Sequence, residues 1–201
     1  MKSGLMLTDG EHALPAGKLA VVVTYLEMLK RAETPDVPLP EGVTFRRITP
    51  DLGSYRDIFT RVGVWDWLWY GRIKMPDAEL QAILDHPDVR FFTLTKNGRD
   101  EALMELDFRT PGECELAYFG LTAKLIGSGA GRHLMTQAIT RAWDVGIGRF
   151  HVHTCTHDSQ QALAFYIRSG FTPYKRAVDI DDDPRLTGVL PRDSAGWIPV
   201  L

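Results

Sequence analysis

The chain has 201 residues, a hydrophobic share of 44% and a formal charge of -3 at pH 7. That length suits one domain with an appended segment, or at most two small ones, and the hydrophobic share suits a globular protein with a real core. The slightly negative charge, with no Lys/Arg cluster interleaved with aromatics, argues against a nucleic-acid binder.

Residues 1 to 17 are polar and contain glycine, so little order is expected there. Asp9 and Glu11 precede the first apolar run, and that run, Leu19 to Tyr25, is too short to span a bilayer. Neither a signal peptide nor a membrane anchor is expected. Two cysteines, Cys114 and Cys155, sit singly in apolar strand-like runs, which suits buried thiols in a reducing compartment. The expected location is therefore cytoplasmic.

Lys18 to Leu29 carries a Val-Val-Val-Thr-Tyr centre that favours a strand, although Leu26, Met28 and Leu29 also fit a helix. The strand is the preferred assignment. Prolines at 35, 38 and 40 then forbid a helix or a central strand. Residues 1–41 are accordingly expected to be an N-terminal arm and linker. The arm could pair with its own sheet or with a second copy in a homodimer, because an unpaired strand edge seeks a partner.

Val43 to Ile48 alternates as a strand, and Pro50 with Asp51 opens a helical region through Val62. Trp65, Trp67, Trp69 and Tyr70 crowd the next few positions. Aromatics at this density form either a core plug or the wall of a substrate pocket. Pro76 to Leu84 has the spacing of a short amphipathic helix. The period then changes: Val89 to Thr95, Ala102 to Phe108 and Cys114 to Leu121 are strands, separated by turns at Asn97-Gly98 and Pro111-Gly112. They make an antiparallel meander.

The meander runs into Leu121 to Arg132, LTAKLIGSGAGR, where Gly127, Gly129 and Gly131 stand on alternate positions. A helix follows from Arg132 to Asp144, with Leu134, Met135, Ala138, Ile139, Ala142 and Trp143 on one face and Gly146 and Gly148 as its stop. Phe150 to Thr156 is a strand and Ser159 to Ser169 a helix, with a capping-box-like start at Asp158 and Gln161 and Gly170 as its stop. Phe171 to Ile180 is a final strand. The main domain is thus residues 42–180, and 181–201 is a tail whose Trp197 and Val-Leu end are expected to dock.

The glycine loop has the form of a phosphate cradle. Glycine permits positive φ and lets a ligand approach the backbone without a Cβ in the way. The first amides of the following helix lack intrahelical partners and lie at the positive end of its dipole, so a pyrophosphate fits there. A loop without any ligand is the plain alternative. A Rossmann site requires G-x-G-x-x-G, but Arg132 and Leu134 occupy the third positions counted from Gly127 and Gly129, and an antiparallel meander precedes the loop. The G-x-x-x-x-G-K-[ST] of a P-loop is missing.

The order strand, helices, meander, glycine loop, helix, strand, helix, strand resembles the GNAT superfamily of acyl-CoA-dependent N-acyltransferases. Its hallmark is Q/R-x-x-G-x-G/A at the start of the central helix. Gly129 and Gly131 match the glycine positions, and Ile126 departs from the Gln/Arg position. SQQALAFYIRSGF, Ser159 to Phe171, is similar to the family's N-x-x-A-x-x-x-Y-x-x-x-G-F stretch, with Ala162, Tyr166, Gly170 and Phe171 in place and Ser159 where asparagine is common. The resemblance covers about residues 43 to 180. It implies an α/β (α+β) fold, a mixed and largely antiparallel central sheet flanked by helices, with the strand-like arm outside the matched part.

The resemblance also implies acetyl transfer from acetyl-CoA to an amine by direct attack, with no metal. The amides of Gly127, Gly129, Ala130, Gly131 and Arg132 would hold the pyrophosphate, Ile126 and Ser159 would flank it, and the backbones of Phe119 and Leu121 would hold the pantetheine and thioester. Tyr166 matches the family's acid near the CoA sulfur; its alternative is a packing role beside Leu163 and Ile167. Glu115 stands where the family often places its base. If Pro111-Gly112 is a two-residue turn, Glu115 faces Phe108, Leu106 and Met104, and burial on that apolar face would make it a stronger base. Glu105 and Asp107 are second choices, and a satisfied structural carboxylate is the alternative for Glu115. Trp65, Trp67, Trp69 and Tyr70 occupy the stretch that frames the acceptor in the family, and an aromatic wall suits a small amine. His151, His153 and Cys155 alternate on one strand, a pattern more often core than metal site. Thr154 and Cys155 lie where a covalent route is conceivable, but direct transfer is expected. A non-catalytic acyl-CoA sensor or interaction module is the rival reading, kept open by Ile126 and Ser159.

Overall fold

The computed structural model describes residues 8–201; the expectation of little order for residues 1 to 7 falls outside them. Alternating apolar residues give the strands two buried faces, and each face carries its own core. Strands β1 (Lys18–Met28), β2 (Val43–Ile48), β3 (Val89–Lys96), β4 (Arg99–Asp100), β5 (Ala102–Asp107), β6 (Glu113–Leu121), β7 (Arg149–Cys155) and β8 (Thr172–Asp182) form one sheet. Its order is β2-β3-β5-β6-β7-β1-β8, with β4 paired to β3. Only the β6–β7 pair is parallel among these, and it holds over Glu113 to Glu115 alone. Beyond that point the two strands part.

The meander forms as the turn chemistry dictates. Asn97 and Gly98 have φ of 51° and 74°, the left-handed pair that a two-residue hairpin with the sheet's own twist requires. On one face, Phe92, Met104, Leu106, Leu116, Phe150 and Val152 pack against α5 (Ala130–Trp143) and α6 (Ala162–Arg168). On the other, Val89, Phe91 and Leu103 pack under the first helices. Those are α1 (Leu52–Phe59), continued by a π turn at Thr60–Val64 into α2 (Trp65–Trp67), then α3 (Gly71–Lys74) and α4 (Asp77–Leu84). The Asp51 carboxylate caps α1 by accepting from the Ser54 amide at 2.8 Å, and Leu68, with φ 52°, ends the run. The helical region thus extends past Val62, because the π turn absorbs one extra residue instead of stopping the helix.

The N-terminal strand is not an outlying arm. β1 lies between β7 and β8, with Tyr25 opposite both His153 and Lys175. The proline-rich linker then crosses α5 to reach β2 at the far edge: the Thr136 hydroxyl donates to the Pro35 carbonyl at 3.3 Å, and His133 Nδ1 lies 2.6 Å from the Val37 carbonyl.

The C-terminal tail docks on the α1–α4 face. Leu190, Ala195 and Ile198 are buried there. Arg185, with its side chain 0% exposed, pairs with Asp183 and donates to the carbonyls of Ser194, Ala195 and Ile198. The Ala195 amide donates to the Trp65 carbonyl at 2.7 Å, and Trp197 Nε1 donates to the Asp66 carbonyl at 2.9 Å. The tail therefore straps α2 in place.

Candidate active site

The site begins where β6 leaves β7. A cavity of about 690 Å³ runs from the glycine loop, through the gap between these strands, to the aromatic wall and the start of β1 and the end of β8. The loop end is built from conformations that require glycine: Gly127 and Gly129 have φ of 78° and 88°. Gly131 lets α5 approach β6, since a Cβ there would lie 3.3 Å from Leu121 Cδ1. The amides of Gly127, Gly129 and Gly131 donate to no protein acceptor among the described residues, whereas the Ala130 amide reaches Ser128 Oγ at 3.4 Å and the Arg132 amide the Gly129 carbonyl at 3.0 Å. Of the five amides expected to form the cradle, three are free and two are already engaged. α5 directs its positive end at the same place. Ile126 is 57% exposed at the rim, and Arg132, Arg168 and Ser159 line the same end.

Phe119 and Leu121 lie on the stretch of β6 that pairs with β5 but has no strand on its β7 side. That edge leaves backbone groups open to the gap. Tyr166, on α6, is 7% exposed and lines the cavity. Its ring meets Phe119 edge-on at 6.4 Å, and its hydroxyl has no hydrogen-bond partner among the described residues. Burial, with the Asp158 charge nearby, raises its pKa, so the phenol stays protonated at neutral pH.

Glu115 does not face Leu106 and Met104. Ala117 is an extra residue on β6: Glu105 pairs with Tyr118, but Leu106 pairs with Leu116 and Asp107 with Glu115. This bulge turns Glu115 to the opposite face, beside Asp107. Instead of being stranded among apolar groups, it sits 3.4 Å from His153 Nδ1. The hydrogen bond to His153 holds the Glu115 carboxyl below its ordinary range, and the same bond raises His153. His153 lines the cavity; Glu115 stands behind it. His151 lies 3.5 Å from Glu113 and is lowered, chiefly by burial. Glu105 is fully buried: it accepts from the Tyr55 hydroxyl at 2.6 Å and pairs with Arg72, so it is structural. Cys155 lines the cavity, but burial and then Asp158 push its thiol up to about 11, leaving little thiolate at neutral pH.

The aromatic stretch divides. Trp67, Trp69 and Tyr70 line the cavity, and Trp69 and Tyr70 also pack on the buried core beneath. Trp65 does not line it: its side chain points outward, 46% exposed, because positions two apart on the helical turn of α2 face different sides. Trp69 is seated by two glycines, for a Cβ at Gly63 would lie 2.0 Å from its ring and one at Gly120 3.1 Å.

Sequence reasoning missed Asp158. Its carboxylate accepts from the Thr154 hydroxyl at 2.7 Å, the Cys155 amide at 2.8 Å and Trp69 Nε1 at 3.3 Å. It therefore turns back onto β7 rather than capping α6, whose first residue is Ala162. Also missed were Leu19, Val21 and Val23 of β1 and Asp179 and Asp181 of β8. Their periodicity marked them as strand residues, but only the pairing of β1 with β7 and β8 brings them here.

Among the described residues no helix is long and apolar enough to cross a membrane. No curated protein is significantly similar to the chain in sequence. Solved structures share its fold. A GCN5-related N-acetyltransferase from Sphaerobacter thermophilus superposes with a TM-score of 0.63 at 14% identity, over 86% of this chain and 53% of that one. A GCN5-related N-acetyltransferase from Kribbella flavida gives 0.52 at 18%, over 86% and 63%. A ribosomal-protein alanine N-acetyltransferase from Escherichia coli gives 0.54 at 18%, over 69% and 90%. The chain thus spans about half the length of the Sphaerobacter protein; at these identities the likeness establishes the fold. The family model for the acetyltransferase (GNAT) family matches residues 54–171, more than half of the 201, and the chain belongs to that family.

Proposed function

We propose that this chain transfers the acetyl group of acetyl-CoA directly to a primary amine of a small molecule. The observation that carries the reading is the set of three amides, Gly127, Gly129 and Gly131, unpaired among the described residues at the head of α5 and opening on a cavity that continues through the β6–β7 gap. These amides bind the pyrophosphate, with Ile126, Ala130, Arg132 and Ser159 around it. The open edge of β6 at Phe119 and Leu121 orients the thioester.

His153, backed by Glu115, takes the proton from the incoming ammonium. The freed nitrogen lone pair attacks the thioester carbonyl, the C–S bond breaks, Tyr166 gives its proton to the departing sulfur, and the second nitrogen proton, lost as the amide forms, restores the Tyr166 phenol. Trp67, Trp69 and Tyr70 form the acceptor wall. The protonated state of Cys155 favours direct transfer over a covalent route.

The test is isothermal titration with acetyl-CoA, with NADH as the control ligand, followed by thiol-release assays over a panel of amines. Acetyl-CoA binding with thiol release supports the enzyme; binding without thiol release for any amine leaves a sensor; and no binding by the folded protein overturns both.

A further inference from the structure

The cavity end opposite the glycine loop is acidic, and acetyl transfer as described leaves Asp179 and Asp181 without a role. Asp179 and Asp181, on the last part of β8, line it, and Asp158 lines the same cavity. All three hydrogen-bond donors to Asp158 are neutral groups, the Thr154 hydroxyl, the Cys155 amide and the Trp69 indole, so its charge is fixed in place but not neutralised. Asp179 is exposed, stands opposite Val21 on β1 and has no ion-pair partner among the described residues. Asp181 accepts from the Tyr70 hydroxyl at 2.9 Å and has the half-exposed Lys74 ammonium at 3.5 Å. Asp182 is paired with Lys18 at 2.5 Å.

Two further features separate this from a solvated acidic surface. The Tyr166 side chain, nine-tenths buried, presents its unpartnered hydroxyl to the same cavity, and Trp67, Trp69 and Tyr70 wall the acidic end. A cleft lined by one sign of charge with apolar walls concentrates the field and draws in the opposite charge. Carboxylates beside aromatic faces are the two groups that hold an ammonium best.

Building on the acetyl-transfer reading, we propose that the acceptor is an alkyl diamine or a longer polyamine. One nitrogen is acetylated beside Tyr166 and Asp158, while the distal, still protonated nitrogen is held by Asp179 and Asp181 against Tyr70. An amine with a carboxylate at that distance meets like charge and is rejected.

Three four-carbon probes differ only in the distal group: 1,4-diaminobutane, butylamine and 4-aminobutyrate. Each is titrated into the CoA-saturated protein, and each is assayed for thiol release from acetyl-CoA. The diamine is expected to bind at least about tenfold more tightly than butylamine, with 4-aminobutyrate weaker still, because a charge-assisted contact is worth that much. Asp179→Asn, a change at an exposed position, is expected to shrink the diamine-to-butylamine ratio severalfold, and added salt to shrink it in the wild type. Equal affinity or equal turnover of diamine and butylamine, or a ratio untouched by Asp179→Asn, overturns the diamine proposal and leaves acetyl transfer standing. Preferential diamine binding with no thiol release from any of the three probes overturns the acceptor role, and the wider amine panel then decides acetyl transfer itself.

Discussion

His153 Nδ1 lies 3.4 Å from Glu115 Oε1, across the gap that opens where β6 and β7 part. The contact raises His153 above its ordinary 6.5 and lowers Glu115 below its ordinary 4.5. If neutral His153 accepts the proton of the acceptor ammonium, kcat climbs with pH through the raised value. In Glu115→Gln that limb moves to lower pH and kcat falls; a pH–rate profile with an unmoved limb sinks the pairing. For stability, the His153 contribution is complete below 6.5 and lost as pH rises through its raised value. The Glu115 contribution is complete above 4.5 and lost as pH falls through its lowered value. The stability deficit of Glu115→Gln is therefore greatest between these ordinary values, which melting curves across the range will read.

Gly129→Val tests the cradle. At φ 88° a non-glycine residue costs about 1–2 kcal/mol, and its side chain enters the space above the free amides. Acetyl-CoA affinity is expected to fall by more than about tenfold, roughly one lost charge-assisted contact. Gly146→Val carries the same strain at φ 83° on the far side of α5, and titration is expected to show no loss of affinity there.

Tyr166→Phe separates chemistry from packing. The hydroxyl has no partner among the described residues, so its removal leaves no orphaned group there, and denaturation should shift by less than about 0.5 kcal/mol. Turnover should drop by about a hundredfold or more, the usual worth of a positioned acid. A variant with normal kcat would make Tyr166 a packing residue.

Gly63→Ala places a Cβ 2.0 Å from the Trp69 ring. The indole must move, at a cost of about 1–3 kcal/mol for overpacking, and its bond to Asp158 goes with it. The KM for the acceptor is expected to rise while acetyl-CoA affinity, read at the other end of the cavity, is retained.

Arg185→Met leaves Asp183 buried without its partner and four tail carbonyls without their shared donor. Loss of one member of such a pair costs about 3–5 kcal/mol. Denaturant unfolding should show it, with acceptor binding impaired because the tail no longer straps Trp65 and Asp66.

Local chemistry was enough to read the meander, the glycine loop and the helices after it. Asn97-Gly98 sets a turn, Gly127 and Gly129 set positive φ, and the spacing of Leu134, Met135, Ala138 and Ile139 sets a face of α5, each within a few residues of chain. What the sequence could not fix depends on partners far along it. The place of β1 between β7 and β8 rests on pairs such as Tyr25 with His153 and Val21 with Asp179, and nothing in a strand's own period names its neighbour. One unpaired residue, Ala117, was enough to turn Glu115 to the other face. Asp158 resembled a helix cap until the end of β7 and the Trp69 indole offered it better donors. Short-range preference determined the elements and the cradle; long-range pairing decided which carboxylates face the cavity.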